Sequence, residues 1–144
     1  MKELYILLAA GVMLVGGAIC VAATVTASSG QCMDVQGGST DDGTPVILFH
    51  CHGSSNQQWA ASRGEMVVSS GSCLDVMGSA PVNGAQIIVV QCNQRPSQQW
   101  QISKGQIIGI GGKCLTARGD INADRTPLVL ATCSADPGQL WTVQ

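Results

Sequence analysis

Cysteine is the residue type in this chain whose number and spacing point most directly to chemistry. Six of the seven cysteines form three pairs in which the second residue follows the first by 19 positions. The pairs are Cys32 with Cys51, Cys73 with Cys92, and Cys114 with Cys133. Six cysteines allow 15 disulfide pairings, and the equal spacing favours the one in which each pair closes on itself. Each bridge then stabilises the fold by about 3 kcal/mol.

Zinc coordination is the alternative use of these cysteines. Structural zinc sites draw on closely spaced ligand pairs such as Cys-x-x-Cys, and the sequence contains none. The run His50-Cys51-His52 does hold three residues of ligand type. Neighbouring side chains on a strand point to opposite faces, however, and a cystine sulfur is not a thiolate ligand. We therefore expect neither a metal nor a cofactor.

Few residues are placed to act as catalytic acids, bases or nucleophiles. Hydrolysis by paired carboxylates requires two acids that face one pocket, whereas Asp41 and Asp42 precede Gly43 in a turn-rich stretch. The sequence has no Gly-x-Ser-x-Gly elbow, and His50 and His52 are its only histidines. We therefore expect that the chain is not an enzyme.

The cysteine pairs belong to a unit that occurs three times. The first cysteine of each pair recurs every 41 residues, and so does a tryptophan, at Trp59, Trp100 and Trp141. Each tryptophan closes a Gln-x-Trp motif. Self-similarity at a fixed period of this size is typical of repeat architectures. We place the three units at about 24–59, 60–100 and 101–144.

Each unit is predicted to consist of about four short strands. Its apolar runs, such as Ile87 to Val90, are only a few residues long and are separated by Gly, Asn, Ser and Pro. Ile and Val dominate these runs, and no segment carries a helical i, i+3, i+4, i+7 stripe. We therefore predict an all-β fold in which three units close into one three-fold object, because closure leaves no edge strand exposed.

Residues 1–23 are predicted to be a signal peptide or a membrane anchor. No charge occurs from Leu4 to Ala27, and Lys2 precedes the apolar run. The run is longer than an ordinary signal core and long enough to span a bilayer, so both interpretations stay open. The repeat register requires Val25 to Ser28 as a strand of the first unit. We therefore expect cleavage near Ala23, or retention of the segment as an anchor.

Composition argues against nucleic acid as a partner. Only 11% of the 144 residues are charged and the net charge is −2. A chain with this balance has no basic face with which to neutralise a phosphate backbone.

The motifs around the cysteines carry a family resemblance. With Cys-Met-Asp-Val at Cys32, Cys-Leu-Asp-Val at Cys73, Cys-Leu-Thr-Ala at Cys114 and a Gln-x-Trp closing each unit, the chain resembles the ricin B-type lectin domains. The resemblance covers the whole chain after the leader. It implies a β-trefoil built from barrel and cap hairpins, with each Gln-x-Trp tryptophan in the core and its glutamine bonded to backbone. It also implies up to three sugar pockets, for galactose-type or related pyranosides.

The family pocket implies specific residues in each unit. It combines an Asp two residues after the first Cys, an aromatic two residues before the second, and an Asn before the Gln-x-Trp. The first unit has all of these, and its predicted binding residues are Asp34, Phe49, Asn56 and Gln57. The second keeps only Asp75, which makes it a possible weak site, and the third has Thr116, Ala131 and Gly138 in these places. The glutamines of all three motifs are assigned to structure, since they persist where the pocket is lost.

Two departures from the family pattern affect the first pocket. Phe49 is a smaller platform than Trp or Tyr, and Ile47 stands where many members have a glutamine. We therefore expect a secreted or surface-displayed lectin that binds single sugars weakly and gains avidity by clustering or multimerisation. The alternative is a structural or assembly subunit that uses the trefoil as a protein-interaction scaffold, tethered at a membrane if the leader is retained.

Overall fold

The fold is all-β, as predicted. The computed structural model describes residues 12–15 and 18–144, and within these residues it contains strands and short 3-10 turns but no α-helix. The strands, in chain order, are β1 Val12–Val15, β2 Ala18–Val21, β3 Val25–Ala27, β4 Cys32–Val35, β5 Thr44–Phe49, β6 Trp59–Ser62, β7 Glu65–Val68, β8 Ser72–Val76, β9 Ile87–Gln91, β10 Gln101–Ser103, β11 Gln106–Ile108, β12 Cys114–Ala117, β13 Thr126–Ala131 and β14 Trp141–Val143.

Strands β3 to β14 divide into three units of four, which agrees with the 41-residue period. Three antiparallel pairs connect one unit to the next: β6 with β7, β10 with β11, and β14 with β3. We call them the barrel hairpins. The last of these pairs joins the end of the third unit to the beginning of the first, with Trp141 opposite Ala27. The units therefore form a closed ring.

The middle strands of each unit form a second set of antiparallel pairs. These are β4 with β5, β8 with β9, and β12 with β13, and we call them the cap hairpins. The cap hairpins also contact one another: β5 pairs with both β9 and β13, and Gln86 bridges to Val129. Barrel and cap hairpins alternate around the ring, which is the β-trefoil arrangement that the family resemblance implies.

The three tryptophans of the Gln-x-Trp motifs occupy equivalent places in the core. Trp59, Trp100 and Trp141 are all buried, and each indole Nε1 donates a hydrogen bond of 3.0–3.1 Å to a backbone carbonyl in the second strand of its own unit. An indole can be buried at low cost only when its N–H has such a partner. Each tryptophan thus connects the last strand of its unit to the second strand.

A recurring side chain connects each cap hairpin to the next unit. Asp42 accepts a hydrogen bond from the backbone N–H of Gln91, and Asn83 accepts one from Thr132. Asp124 accepts the equivalent bond from His50 and so connects the third unit back to the first. These three bonds, which we call the clasps, follow the three-fold symmetry. Asp42, which lies in the turn-rich stretch before Gly43, therefore has a structural role.

The three predicted disulfides are present. Cys32 is bonded to Cys51, and the two later pairs are bonded in the same way, with Cα–Cα distances of 5.0–5.1 Å. One cluster of potential metal ligands occurs in the described part of the chain, formed by Glu65 with Cys73 and Cys92. Its two sulfurs are bonded to each other and therefore supply no thiolate.

The segment from Ala23 to Ala27 is part of the barrel. Strand β3 pairs with β14, and Ala23 exchanges backbone hydrogen bonds with Trp59. The predicted strand from Val25 is therefore confirmed as far as Ala27. The prediction is wrong for Ser28, which lies in the turn that leads to Gly30.

Most of the predicted leader lies outside the described residues, namely 1–11, 16 and 17. Strands β1 and β2 within it pair with each other. Among the described residues, no helix has the length and apolar character needed to cross a membrane. Cleavage near Ala23 stays a prediction.

Candidate functional site

The first unit has a cavity of about 500 Å³ at the residues predicted for binding. Pockets for small ligands measure about 300–1,000 Å³. Asp34 comes from β4, Phe49 from β5 and Asn56 from the 3-10 turn Ser55–Gln57. The structure therefore brings together three side chains, of which the first and last, Asp34 and Asn56, are 22 positions apart in the sequence. The cavity is lined by Asp34, Gln36, Gly37, Gly38, Ile47, Phe49, His52, Asn56 and Arg125.

The Asp34 carboxylate is fixed by three neighbours. Asn56 Nδ2 donates to its Oδ1 at 3.0 Å, and Gln57 Nε2 donates to its Oδ2 at 2.8 Å. His52 Nε2 lies 3.4 Å from the same Oδ2. An ionised carboxylate has about four lone-pair positions, so acceptor capacity is left for a ligand. Asp34 is therefore a rigid acceptor at the floor of the cavity rather than the simple turn residue that its type also allows.

Burial changes the ionisation of Asp34. Only 2% of the residue is exposed. Loss of solvation raises the pKa of its carboxyl above the ordinary 3.8, while the hydrogen bond from Gln57, the charge of His52 and the contacts with His52 and Asn56 act in the opposite direction. The carboxylate is thus easier to protonate than an exposed aspartate.

Gln57 lies behind the cavity. It is fully buried, and its Oε1 accepts from the backbone of His52 while its Nε2 donates to Asp34 and to the His50 carbonyl. Gln98 and Gln139 make the equivalent bonds in their units. The structural role expected for these glutamines is therefore present, and Gln57 can influence a ligand only by positioning Asp34.

Phe49 and Asn56 face the cavity with groups that suit a sugar. The half-buried ring of Phe49 offers an apolar surface. Asn56 Nδ2 donates to Asp34 and to the Val35 carbonyl. Within the described residues its amide oxygen accepts no hydrogen bond, so that oxygen is available to a ligand hydroxyl. Ile47, which is buried beside Phe49, completes the apolar side.

Five lining residues were not predicted, and two of them, His52 and Arg125, carry basic side chains. The only sequence signal of His52 was its position next to Cys51. Arg125 comes from the third unit and places its Cζ 5.7 Å from the centroid of the Phe49 ring. Such a cation–π contact is worth about 0.5–1 kcal/mol at an exposed site. The motif of a single repeat does not include a residue that a neighbouring unit contributes.

The backbone at Arg125 is unusual for its residue type. Arg125 has a φ of 71°, and the equivalent positions in the other two units are glycines with φ of 89° (Gly43) and 87° (Gly84). In all three, the backbone N–H donates to a carbonyl of the adjacent cap hairpin at 2.7–2.8 Å. A non-glycine residue in such a conformation costs on the order of 1–3 kcal/mol. The period of 41 could have revealed this substitution of arginine for glycine.

The second unit retains the acid but lacks the surroundings of the first. Asp75 Oδ2 accepts from Gln98, and its Oδ1 accepts from the backbone N–H of Val76. Val90 occupies the place of the aromatic residue. The hydroxyl of Ser97, at the place of Asn56, is buried and has no hydrogen-bond partner among the described residues.

The third unit shows what the acid position does without a pocket. Thr116 Oγ1 accepts a hydrogen bond of 3.1 Å from Gln139 Nε2. It therefore replaces the aspartate as the partner of the buried glutamine. The structural task of this position is common to all three units, whereas the combination of acid, ring and amide around one cavity belongs to the first.

Comparison with known proteins agrees with the fold. The model of the ricin-type beta-trefoil lectin domain matches residues 22–141. Among solved structures, the designed three-fold symmetric protein ThreeFoil has a TM-score of 0.78 and 26% identity, and the match covers 85% of this chain and 96% of that protein. A non-toxic homologue of type II RIPs from Momordica charantia (bitter gourd), solved with α-methyl-D-galactoside, has a TM-score of 0.76 and 26% identity over 86% of this chain.

Two of these relatives are longer proteins of which the match covers only a part. The aligned region is 47% of the bitter gourd protein. A probable lipoprotein, EnvE, from Salmonella typhimurium is 48% identical over 29 residues, which are 20% of this chain and 17% of that protein. The family match, by contrast, takes in all three Gln-x-Trp units. The chain therefore belongs to the ricin-type β-trefoil lectins, a family of carbohydrate-binding domains.

Proposed function

We propose that the chain is a non-catalytic lectin module that binds galactose-type glycans through the pocket of its first unit. The observation that carries the proposal is the coincidence of Asp34, Phe49 and Asn56 around one cavity. A carboxylate accepts hydrogen bonds from neighbouring hydroxyls, an aromatic face covers the C–H side of a pyranose, and an amide oxygen accepts one bond more. The bitter gourd relative, solved with α-methyl-D-galactoside, supports galactose as the sugar type.

The proposed affinity for a single sugar is low. Phe49 is a small platform and Ile47 offers no polar group to the ligand, so we expect a Kd near ~1 mM, or about −4 kcal/mol. Binding at a glycan-bearing surface then depends on several copies acting together, because effective concentration multiplies weak contacts. Display at a cell surface or secretion fits this mode of action, and the similarity to a probable lipoprotein supports it.

The proposal is tested by exchanging Asp34 for the residue that the third unit uses. Thr116 shows that a threonine at this position can accept the glutamine bond, so Asp34→Thr removes the carboxylate while retaining a partner for Gln57. We expect Asp34→Thr to abolish retention on a galactose column with little change in melting temperature. The matched variant Asp75→Thr makes the same exchange in the second unit and is expected to leave retention unchanged. Equal loss from both variants contradicts the assignment to the first unit.

A further inference from the structure

Arg125 is the cationic side chain at the edge of the proposed sugar pocket. It is exposed, and its guanidinium lies over Phe49. Within the described residues, no carboxylate forms an ion pair with it and no acceptor takes a hydrogen bond from its side chain. The guanidinium of Arg125 therefore has no charged or hydrogen-bonding partner among the described residues.

The fold does not require a long side chain at position 125. The corresponding residues Gly43 and Gly84 make the same backbone hydrogen bond with no side chain at all. Both glycines occupy a left-handed backbone conformation that an L-residue adopts only at a cost. Among the described residues, four other non-glycine residues also have a positive φ, namely Arg63, Ser79, Gln94 and Lys104, but only Arg125 of the five lines the cavity. The arginine stands at the one of the three equivalent positions that faces the complete pocket.

We infer that the first-unit pocket prefers a glycan that carries an anionic substituent, and that Arg125 is the residue that determines this preference. The inference deepens the proposed function and rests on it. The guanidinium presents a fork of N–H donors that matches a carboxylate or a sulfate group. A substituent of either kind, on the pyranose or on the sugar attached to it, provides the missing partner.

The charges of Asp34 and Arg125 are separated by depth. Asp34 is buried at the floor, whereas Arg125 is exposed at the edge, on the side of Phe49. A sugar that directs its hydroxyls to Asp34 can therefore direct an acidic group away from that carboxylate and towards the guanidinium. The arrangement disfavours an anionic group that points inwards, so the preference also depends on where the substituent is attached.

The test compares the affinities of the whole chain for neutral and acidic ligands. The probes are lactose, sialyllactose with a carboxylate, and lactose carrying a sulfate on its galactose. An ion pair at an exposed site contributes only a modest binding free energy. We therefore expect one of the acidic ligands to bind roughly three- to tenfold more tightly than lactose at low salt. The preference should shrink in 0.5 M salt, where charges are screened within about 4–5 Å. Which acidic ligand is favoured distinguishes a carboxylate from a sulfate.

Two variants locate the effect. Arg125→Gly restores the residue of the other two units, and we expect the ratio of acidic to neutral affinity to fall to about one without a lower melting temperature. Arg118→Gly removes the same charge from an exposed position of the third unit outside the cavity, and it should retain the wild-type ratio.

The outcomes separate the inference from the proposed function. If lactose binds and neither acidic ligand binds more tightly, or if Arg125→Gly keeps the wild-type ratio, the inference is wrong and the lectin proposal stands. If no ligand of either kind binds, the proposed function itself fails. A ratio that falls equally in Arg118→Gly overturns the role of Arg125 and leaves only the net charge of the molecule.

Discussion

At the scale of single residues, the acid position of each unit has two tasks that the structure separates. One task is to accept a hydrogen bond from the buried glutamine, and Asp34, Asp75 and Thr116 all perform it. The other, under the proposed function, is to present a carboxylate to a sugar, and only Asp34 lies beside both an aromatic ring and an amide. The first task accounts for an acceptor at this position in the second and third units, which lack the full set of acid, aromatic ring and amide.

The ionisation of Asp34 gives the pocket a pH dependence. Because burial raises the pKa of this carboxyl above 3.8, lowering the pH protonates it and removes an acceptor earlier than for an exposed aspartate. Sugar binding is expected to be complete at neutral pH and to be lost on acidification, with a midpoint above 3.8. Folding stability depends on pH in the opposite direction. The stability that the raised pKa contributes is present below the pKa of the unfolded state and is lost as the pH rises through the pKa of the folded state.

Asp124 titrates in a different range and provides the control. The hydrogen bond with His50, together with one from Gln31, lowers the pKa of Asp124 to about 2. Its contribution to stability is therefore present above 3.8 and is lost as the pH falls towards 2. Column retention and melting temperature, measured over the same pH series, should show binding lost before the clasp weakens. A binding midpoint at or below 3.8 contradicts the assignment of the acceptor to Asp34.

At the scale of elements, the sequence predicted the units well because their landmarks are covalent or buried. The spacing of 19 residues between cysteines predicted the disulfides, and the Gln-x-Trp motifs predicted the core tryptophans. Local pattern was less reliable at strand ends, since Ser28 lies in a turn. It also could not find Arg125, because a strand of another unit brings that residue to the pocket.

The disulfide of each unit should stabilise its cap hairpin independently of ligand binding. Replacing Cys73 and Cys92 by serine opens a loop of 19 residues in a unit that lacks the complete pocket. We expect this change to lower the free energy of unfolding by about 3 kcal/mol and to leave sugar binding intact under conditions where the variant is folded. Chemical denaturation measures the first effect and column retention the second. An unchanged unfolding midpoint would falsify the structural role of the bridge.

At the scale of the whole molecule, the three clasps close the ring at its surface as β14 and β3 close it in the barrel. The sequence predicted closure from the repeat, but not the side chains that secure it. Asp42, Asn83 and Asp124 recur at intervals of 41, yet residues of these types in turn-rich segments are ordinarily solvated. Their role follows only from knowing which unit lies beside which.

The clasp between the third and first units can be tested with the residue that the second unit uses. Asn83 accepts the same backbone bond, so Asp124→Asn is expected to keep it, while Asp124→Ala leaves the His50 N–H without this partner. We expect Asp124→Ala to lower the midpoint of denaturant unfolding more than Asp124→Asn does, because only the alanine leaves that N–H unpaired. Equal losses would mean that the backbone bond contributes nothing and that only the charge of Asp124 matters.

Binding of a galactose-type glycan in the pocket of the first unit is the proposal on which the other predictions about ligands depend. The most direct measurement is a titration of the isotope-labelled protein with lactose, followed by backbone and side-chain amide NMR shifts. We predict saturable shifts at Gly37, Gly38, His52 and Asn56, with no comparable change at the corresponding residues of the second and third units. Saturable shifts centred on another unit, or no shifts at lactose concentrations well above ~1 mM, would contradict binding in the first unit.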